Sequence, residues 1–285
     1  MQHENDARIF LAYDGSINAD WVSRYAIRFA ANSNHKKLFL FHILDGSFSS
    51  EEIRIKIKSI EDECSFHEVE MGHAVLPVSD NVYNTIIQSV PHGRNNFCVC
   101  GARITSRGKG FLTGTISEKL LQANKFNVLA IRVVHPGLLG CPKELLVPLV
   151  GTKVDYETYL TFYHLLAPDI EKVHFLSIIH ANPWLLPYFS QKRIKTYKNK
   201  GFEHLRLILE KIREKEDPLS VRYDGRVVLS DDWVHETLIQ ASQLKVRLVL
   251  VEAAGKGFFS RFIPLGRIER LLRNTTCDVA LFKTI

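Results

Sequence analysis

The sequence has little cysteine, and its cysteines stand where neither crosslinks nor metals would put them. There are five in 285 residues. Cys64, Cys98, Cys100, Cys141 and Cys277 form no C-x-x-C pair and no zinc spacing. The twelve histidines contain no H-x3-H pair flanking a base. These absences exclude a disulfide scaffold and a zinc module, and they point to a reducing, cytoplasmic setting. Cys98 and Cys100 sit inside a strand-like run, where a free thiol acts as a small apolar side chain. Long apolar runs are also missing. No stretch approaches the roughly 20 residues needed to cross a bilayer, so no membrane partner is expected. Met1 to Asp6 carries no apolar secretory core.

Several catalytic signatures are missing too. Arg103 to Lys109 ends in Gly-Lys, but a Walker A loop needs glycine at 103 and Ser or Thr at 110, where the chain has Arg103 and Gly110. Gly15-Ser16 lacks the G-x-S-x-G frame of a nucleophile elbow. No S-G-G-x-D-S loop of an ATP-activating enzyme follows the first apolar run. No catalytic triad is visible, and no residue is placed as a general base.

What the chain does contain is a repeat. Arg8-Ile9-Phe10-Leu11-Ala12-Tyr13-Asp14-Gly15-Ser16 aligns without a gap on Glu144-Leu145-Leu146-Val147-Pro148-Leu149-Val150-Gly151-Thr152. Gly114 to Leu121 aligns on Leu265 to Leu272, and each runs into a short apolar strand, Val128–Ile131 and Val279–Phe282. Length fits two domains of roughly 100–200 residues, each large enough to bury a core without staples. Residues 1–137 are expected to form the first and 138–285 the second. Pro and Gly in His135 to Pro142 mark the linker.

Within each half, strands and helices alternate. The first half predicts strands at Ile9–Tyr13, Lys37–Leu44, Phe66–Met71, Phe97–Cys100 and Asn127–Val134. Helices are expected from the residues after Ser16, from about Ser50 to Ser65, Asp80 to Val90 and Thr115 to Ala123. The second half predicts strands at Leu145–Leu149, Val173–Ile179, Val221–Val228, Leu248–Val251 and Val279–Phe282. Its helices are expected at about Val154–Leu166, Leu185–Glu216, Asp232–Leu244 and Gly266–Asn274. Pro148 is placed at its strand's end, where pairing has stopped. The fold class is therefore α/β, with parallel sheets, right-handed crossovers and helices on both faces. If the strand order is 3-2-1-4-5, the switch point lies between the first and fourth strands, where such sheets bind ligands.

The loops meeting there are Ala12-Tyr13-Asp14-Gly15 and Cys100-Gly101-Ala102-Arg103. Gly101 allows close approach of a backbone to a ligand. Gly114 and Thr115 open a helix, whose N–H groups favour an anion, and Thr115 adds a hydroxyl. Arg103, Arg107 and Lys109 lie between them, and Arg103 is assigned a phosphate contact by charge and position. Asp14 suits ribose hydroxyls. Each residue also has a plainer reading. The glycines serve turns, Thr115 caps a helix, Asp14 begins a turn, and the cations are a solvated loop.

Three motifs in order, Asp14-Gly15-Ser16, His42-Ile43-Leu44-Asp45 and Gly101-x2-Ile104-x9-Gly114-Thr115, resemble the universal stress protein family, in particular its tandem two-domain members. The resemblance covers nearly the whole chain. It departs at Ile104, where the family pattern has glycine. It implies two doubly wound five-stranded domains, strand order 3-2-1-4-5, pairing through their last strands as an intramolecular pseudo-dimer. It implies an adenine nucleotide, ATP with or without Mg²⁺, held in the first domain by Ala12, Asp14, Ile43, Gly101, Gly114, Thr115 and Ile116, with Ile43 against the base; Arg103 joins this set by charge and position alone. The implied role is regulation in stress response through an unidentified protein partner, with any ATP hydrolysis slow and incidental. The alternative is a protein-interaction module of the same fold that binds no nucleotide and needs no cofactor. In the second domain Val150 replaces Asp14, Glu252 replaces Gly101, and Leu265-Gly266 replaces Gly114-Thr115, so no ATP is expected there. Whether two chains pair further is not written in the sequence.

The net charge is +6, which attracts polyanions but does not establish a nucleic-acid partner, and none is expected. Lys192 to Lys200 is the one basic run, read as a solvated helix face or an anion-binding surface. Before it stand Trp184, Leu185, Leu186, Tyr188 and Phe189, an apolar cluster suited to a core or to a partner.

Overall fold

The computed structural model describes residues 6–102, 115–150, 162–182, 184–215, 221–253 and 265–285. The chain begins with β1 (Arg8–Tyr13), whose alternate residues are buried. Ser16 ends the following turn and caps α1 (Ile17–Ala31), its Oγ accepting the Ala19 N–H at 3.2 Å. Helix α1 buries Val22, Tyr25, Ala26, Phe29 and Ala30 at helical spacing. Next come β2 (Lys37–Leu44) and α2 (Ser50–Phe66).

Here the structure corrects the expected strand at Phe66–Met71. A capping box between Ser49 and Glu52 starts α2, and Ile53, Ile57, Ile60 and Cys64 are all buried on one face. That stripe carries the helix through Phe66, which is 82% exposed. Glu68 turns the chain with a φ of 56°, and β3 runs from Glu70 to Pro77. The first half is completed by α3 (Val82–Ser89), β4 (Gly93–Gly101), α4 (Ile116–Gln122) and β5 (Phe126–Arg132).

The second half has β6 (Glu144–Val150), β7 (Lys172–His180), α5 (Gln191–Lys215), β8 (Arg222–Ser230), α6 (Trp233–Leu244), β9 (Leu248–Glu252), α7 (Leu265–Asn274) and β10 (Asp278–Lys283). Residues 162–166 are helical, and 151–161, where the rest of that expected helix would fall, lie outside the described residues. The helix expected over Leu185–Glu216 is divided. Leu186–Tyr188 forms a separate 3-10 turn around Pro187, and α5 starts only after Ser190.

Among the described residues ten strands join one sheet in the order β3-β2-β1-β4-β5-β10-β9-β6-β7-β8. Each half is parallel with the order 3-2-1-4-5. The halves meet where β5 pairs antiparallel with β10, from Arg132 opposite Val279 to Val128 opposite Lys283. The chain is thus an intramolecular pseudo-dimer, and pairing covers the edge that each half would otherwise expose. On each face of the sheet a layer of buried side chains continues across the joint. In one of them Phe162 packs against Phe97 at 5.4 Å and Phe282 at 4.9 Å between ring centres.

A buried carboxylate marks the same joint. Asp278 is fully buried, at 0% exposure. Its Oδ1 accepts the backbone N–H groups of Val134 at 2.6 Å and His135 at 2.9 Å, and its Oδ2 accepts the Tyr25 hydroxyl at 2.7 Å. Burial, with the Asp278 charge beside it, pushes the Tyr25 phenol well above its ordinary range.

His174 on β7 is a second buried polar group, 3% exposed, with Nδ1 3.3 Å from Asp224 and Nε2 3.8 Å from Glu144. Burial lowers its pKa below 6.5, Lys172 adds to this, and the two carboxylates oppose it. A base whose pKa falls on folding takes up a proton more readily when unfolded. Stability from this group is therefore present above pH 6.5 and is lost as pH falls from there toward the folded pKa. His204, lowered by burial, acts in the same direction. Urea midpoints for the wild type are expected to drop between neutral and mildly acidic pH, and His174→Asn is expected to flatten that dependence. An unchanged slope in the variant would remove His174 from the account.

Candidate functional site

The carboxyl ends of β1, β2 and β4, with the starts of α3 and α4, surround a cavity of about 310 Å³. That is at the low end of the roughly 300–1,000 Å³ of small-molecule sites. Six of the eight predicted residues line it, namely Ala12, Asp14, Ile43, Gly101, Thr115 and Ile116. Arg103 and Gly114 lie outside the described residues, as do Ile104, Arg107 and Lys109.

The turn after β1 is built from Asp14, Gly15 and Ser16. Asp14 Oδ1 accepts the Ser16 N–H at 2.9 Å, an Asx turn, while Ser16 itself caps α1. Gly15 has a φ of +79°, and a Cβ there would lie 2.7 Å from Ile53 Cδ1 and 2.9 Å from the Phe48 ring. Only glycine fits, so the turn and the direction of Asp14 are set together. Below the turn, the Tyr13 hydroxyl donates to Asp20, which also pairs with Lys56, tying the end of β1 to α1 and α2. His42 Nδ1 lies 2.9 Å from the Tyr13 carbonyl. A carbonyl only accepts, so the ring proton sits on Nδ1.

Gly101 ends β4 beside Asn18, and a Cβ added there would fall 2.6 Å from the Asn18 amide nitrogen. Thr115 is the N-cap of α4, a helix of seven residues. Its Oγ1 accepts the Glu118 N–H at 3.2 Å and lies 3.1 Å from Ser117 Oγ. In this structure the hydroxyl serves the helix, which is the plainer of the two sequence readings.

The opposite wall is apolar. Phe41 and Ile43 of β2 and Val82 and Ile86 of α3 face the cavity. None of Phe41, Val82 and Ile86 was singled out from sequence: Phe41 lies in an apolar strand run that marks no one position, and i, i+4 apolar spacing on a helix describes any core face equally well. Asp45 also lines the cavity and was missed as a site residue, although it closes the His42-Ile43-Leu44-Asp45 motif. Its Oδ1 accepts the Ser47 N–H at 2.9 Å. Burial opposes its charge, but the Ser47 hydrogen bonds and nearby His42 outweigh this and hold the carboxyl below its ordinary pKa. Among the described lining residues, the charged side chains are Asp14 and Asp45.

Cys100 forms part of the floor. Burial, helped by the Asp14 charge, pushes its thiol up to about 12, and burial lifts the Cys98 thiol well above its usual value. Cys141 is half-buried, with a thiol raised by burial and by Asp169. Mild alkylation of the native protein is expected to modify Cys141 first, leaving Cys98 and Cys100 untouched until unfolding. Peptide mass spectrometry checks this, and fast native labelling of Cys100 would show an open floor.

The corresponding place in the second half is shaped differently. In the first half β1 pairs with β4 from Arg8 through Ala12. In the second, β6 pairs with β9 at Leu145 and Leu146, and the ladder ends before Pro148. Pro148 is not at its strand's end, however, because pairing with β7 continues through Val150. The proline stands where Ala12 does, with no N–H for a ladder. Val150 and Glu252 stand where Asp14 and Gly101 do, at the carboxyl ends of β6 and β9.

No protein-family model matches the sequence, and no curated protein matches it. Solved structures do share its fold. A universal stress protein from Archaeoglobus fulgidus DSM 4304 superposes with a TM-score of 0.61 at 14% identity, covering 99% of this chain and 97% of that one. A functionally unknown protein from Pseudomonas aeruginosa PAO1 gives 0.62 at 12% identity, over 100% of this chain and 95% of the other. The cytoplasmic domain of a prokaryotic cation chloride cotransporter gives 0.57 at 10% identity, over 98% and 95%. With its two half-sheets of the same strand order joined antiparallel and its full-length likeness to such proteins, the chain has the tandem universal stress protein fold.

Proposed function

We propose that this protein binds an adenine nucleotide in the cavity of its first domain, residues 1–137, and acts as a nucleotide-responsive regulator. The observation that carries this reading is the meeting of an apolar wall, a carboxylate turn and a glycine-ended strand at the topological switch point of one half. Phe41, Ile43, Val82 and Ile86 offer a slot for a flat base. Asp14 keeps a carboxylate at the rim for ribose hydroxyls, one oxygen being held in the turn. Gly101 presents no side chain to the ligand. The phosphates are assigned to the Gly101 end of the cavity, because the sequence that follows Gly101 holds Arg103, Arg107 and Lys109 before Gly114. Mg²⁺ would arrive on the phosphates, since among the described residues no three His, Cys, Asp or Glu side chains converge as a metal site. ATP is the nucleotide we favour. The second domain, with Val150 and Glu252 at the equivalent strand ends, is assigned no ATP.

A second reading, a protein-interaction module without nucleotide, is favoured by Ile104 in place of the loop's second glycine and by the acidic character of the described rim. Calorimetric titration of ligand-stripped protein with ATP and Mg²⁺ decides between them. One site per chain supports the nucleotide reading. Absence of heat and of any thermal shift in folded protein would sink it in favour of the second.

A further inference from the structure

The second half carries a surface that the cavity does not use. Because β5 and β10 are antiparallel, the carboxyl ends of β7 and β8 lie at the opposite edge of the sheet from the cavity. There the chain leaves β7, passes through the Leu186–Tyr188 turn and enters α5. Trp184 is 83% exposed, Leu185 51% and Tyr188 85%. Residues 181–191 contain no charged side chain. The next nine residues hold five cations, Lys192, Arg193, Lys195, Lys198 and Lys200, and no acidic residue occurs between Glu171 and Glu203. The four lysines are exposed, and among the described residues none has a carboxylate partner.

This segment is held in place rather than packed away. Helix α5 is anchored to the core by Gly201, Leu205, Ile208 and Ile212, and no residue from 191 to 200 is fully buried. Phe189 and Tyr197 stack at 5.7 Å with 13° between planes, and the Arg193 guanidinium covers Phe189 at 4.1 Å. That stack fixes the turn, so Trp184, Leu185 and Tyr188 project as an uncharged tip beside a cationic helix.

We propose that residues 184–200 dock on an anionic bilayer surface, the tip entering the headgroup boundary and the lysines lying against anionic lipid headgroups. Trp, Leu and Tyr at an interface with lysines behind them suit a monolayer edge. A polynucleotide is matched less well. Leucine offers no stacking face, and Arg193, the side chain best shaped for a phosphate, is committed to Phe189. A second copy of the chain would oppose like-charged helices. The expectation of no membrane partner rested on the lack of a spanning segment, and among the described residues no helix is long and apolar enough to cross a bilayer. Peripheral docking requires none.

The test is co-sedimentation of the full chain with unilamellar vesicles of phosphatidylcholine alone and of mixed phosphatidylcholine and phosphatidylglycerol, with tryptophan emission as a second readout. Binding is expected only to the anionic vesicles, to weaken with salt, and to shift emission to the blue. Trp184→Ala should abolish that shift, since Trp233 is buried and Trp21 is packed against the core of the first half, away from the tip. A triple Lys192→Glu, Lys195→Glu, Lys198→Glu variant should lower partitioning by at least about tenfold, with circular dichroism unchanged because all three positions are exposed. The proposal is overturned by failure to bind anionic vesicles at low salt, or by binding insensitive to Trp184→Ser with Tyr188→Ser. Tighter binding to a single-stranded oligonucleotide than to anionic vesicles would also overturn it, as would a concentration-dependent dimer abolished by the same double substitution.

Discussion

Asp278→Ala is expected to cost about 3–5 kcal/mol of folding stability, more than any other single replacement considered for this chain. The carboxylate is at 0% exposure and accepts three hydrogen bonds, from the Val134 and His135 backbone and from the Tyr25 hydroxyl. Alanine leaves three donors without their acceptor, the Tyr25 hydroxyl buried and the Val134 and His135 N–H groups part-buried, and each unpaired buried group costs roughly 1–3 kcal/mol before neighbours relax. Water entering the gap would offset part of that, which sets the expected total below the simple sum. Asp278→Asn keeps an oxygen for the two N–H groups, and its amide can donate to the Tyr25 oxygen. Its cost is expected to be no more than about 1.5 kcal/mol. Urea denaturation followed by circular dichroism measures both. Equal losses in the two variants would mean that the negative charge itself, rather than the acceptor geometry, holds the joint. A loss under about 1 kcal/mol for alanine would mean the network is dispensable.

Gly101→Val is expected to weaken ATP binding more than tenfold, equivalent to at least about 1.4 kcal/mol, while the protein remains folded. A Cβ at this strand end already meets the Asn18 amide at 2.6 Å, and the added methyl groups must displace Asn18 or occupy the cavity. Asn18 is the end of a flexible side chain on the first turn of α1, so it can move without unfolding the sheet. Asp14→Asn separates the turn from the charge. Its Oδ1 still accepts the Ser16 N–H, but the carboxylate is lost to the ribose. A loss of roughly tenfold is expected, as for one charge-assisted hydrogen bond. The control is Val150→Asn at the corresponding position of the second half, which is expected to leave binding unchanged. Calorimetry on the four proteins is the measurement. Normal affinity in both Gly101→Val and Asp14→Asn would place any bound nucleotide outside this cavity.

Much of this architecture was legible in the residues themselves. The repeat of Arg8–Ser16 on Glu144–Thr152, and of Gly114–Leu121 on Leu265–Leu272, declared two copies of one unit. Apolar runs such as Ile9–Tyr13 and Lys37–Leu44 declared strands, and alternation with helical spacing left few ways to order a parallel sheet. Once that order was set, β1 and β4 had to end together, which is why Asp14 and Gly101 share one cavity with Ile43 and Thr115. Local periodicity answers to burial, and burial is repeated along an element.

The misses came where local signal was equal for two outcomes or where the partner was remote. Phe66 is as good a strand residue as a helix end. What decided it was the Ser49–Glu52 box and the Ile53, Ile57, Ile60 stripe packing against the sheet. Val82 and Ile86 look like core on any helix, and only the position of α3 over the end of β2 turns them toward a cavity. Pro148 stays within a strand because one of its neighbours, β9, has already stopped pairing. Asp278 and Tyr25 are 253 residues apart, and nothing in either neighbourhood names the other. By itself, the sequence determined the repeat and the alternation of strands with helices, because these follow from spacing within short segments, while the strand order came with the family resemblance. Tertiary structure alone decided which carboxylate locks the halves, which wall closes the cavity and which aromatic side chains remain outside the core, because each depends on what a distant part of the chain brings to the same point in space.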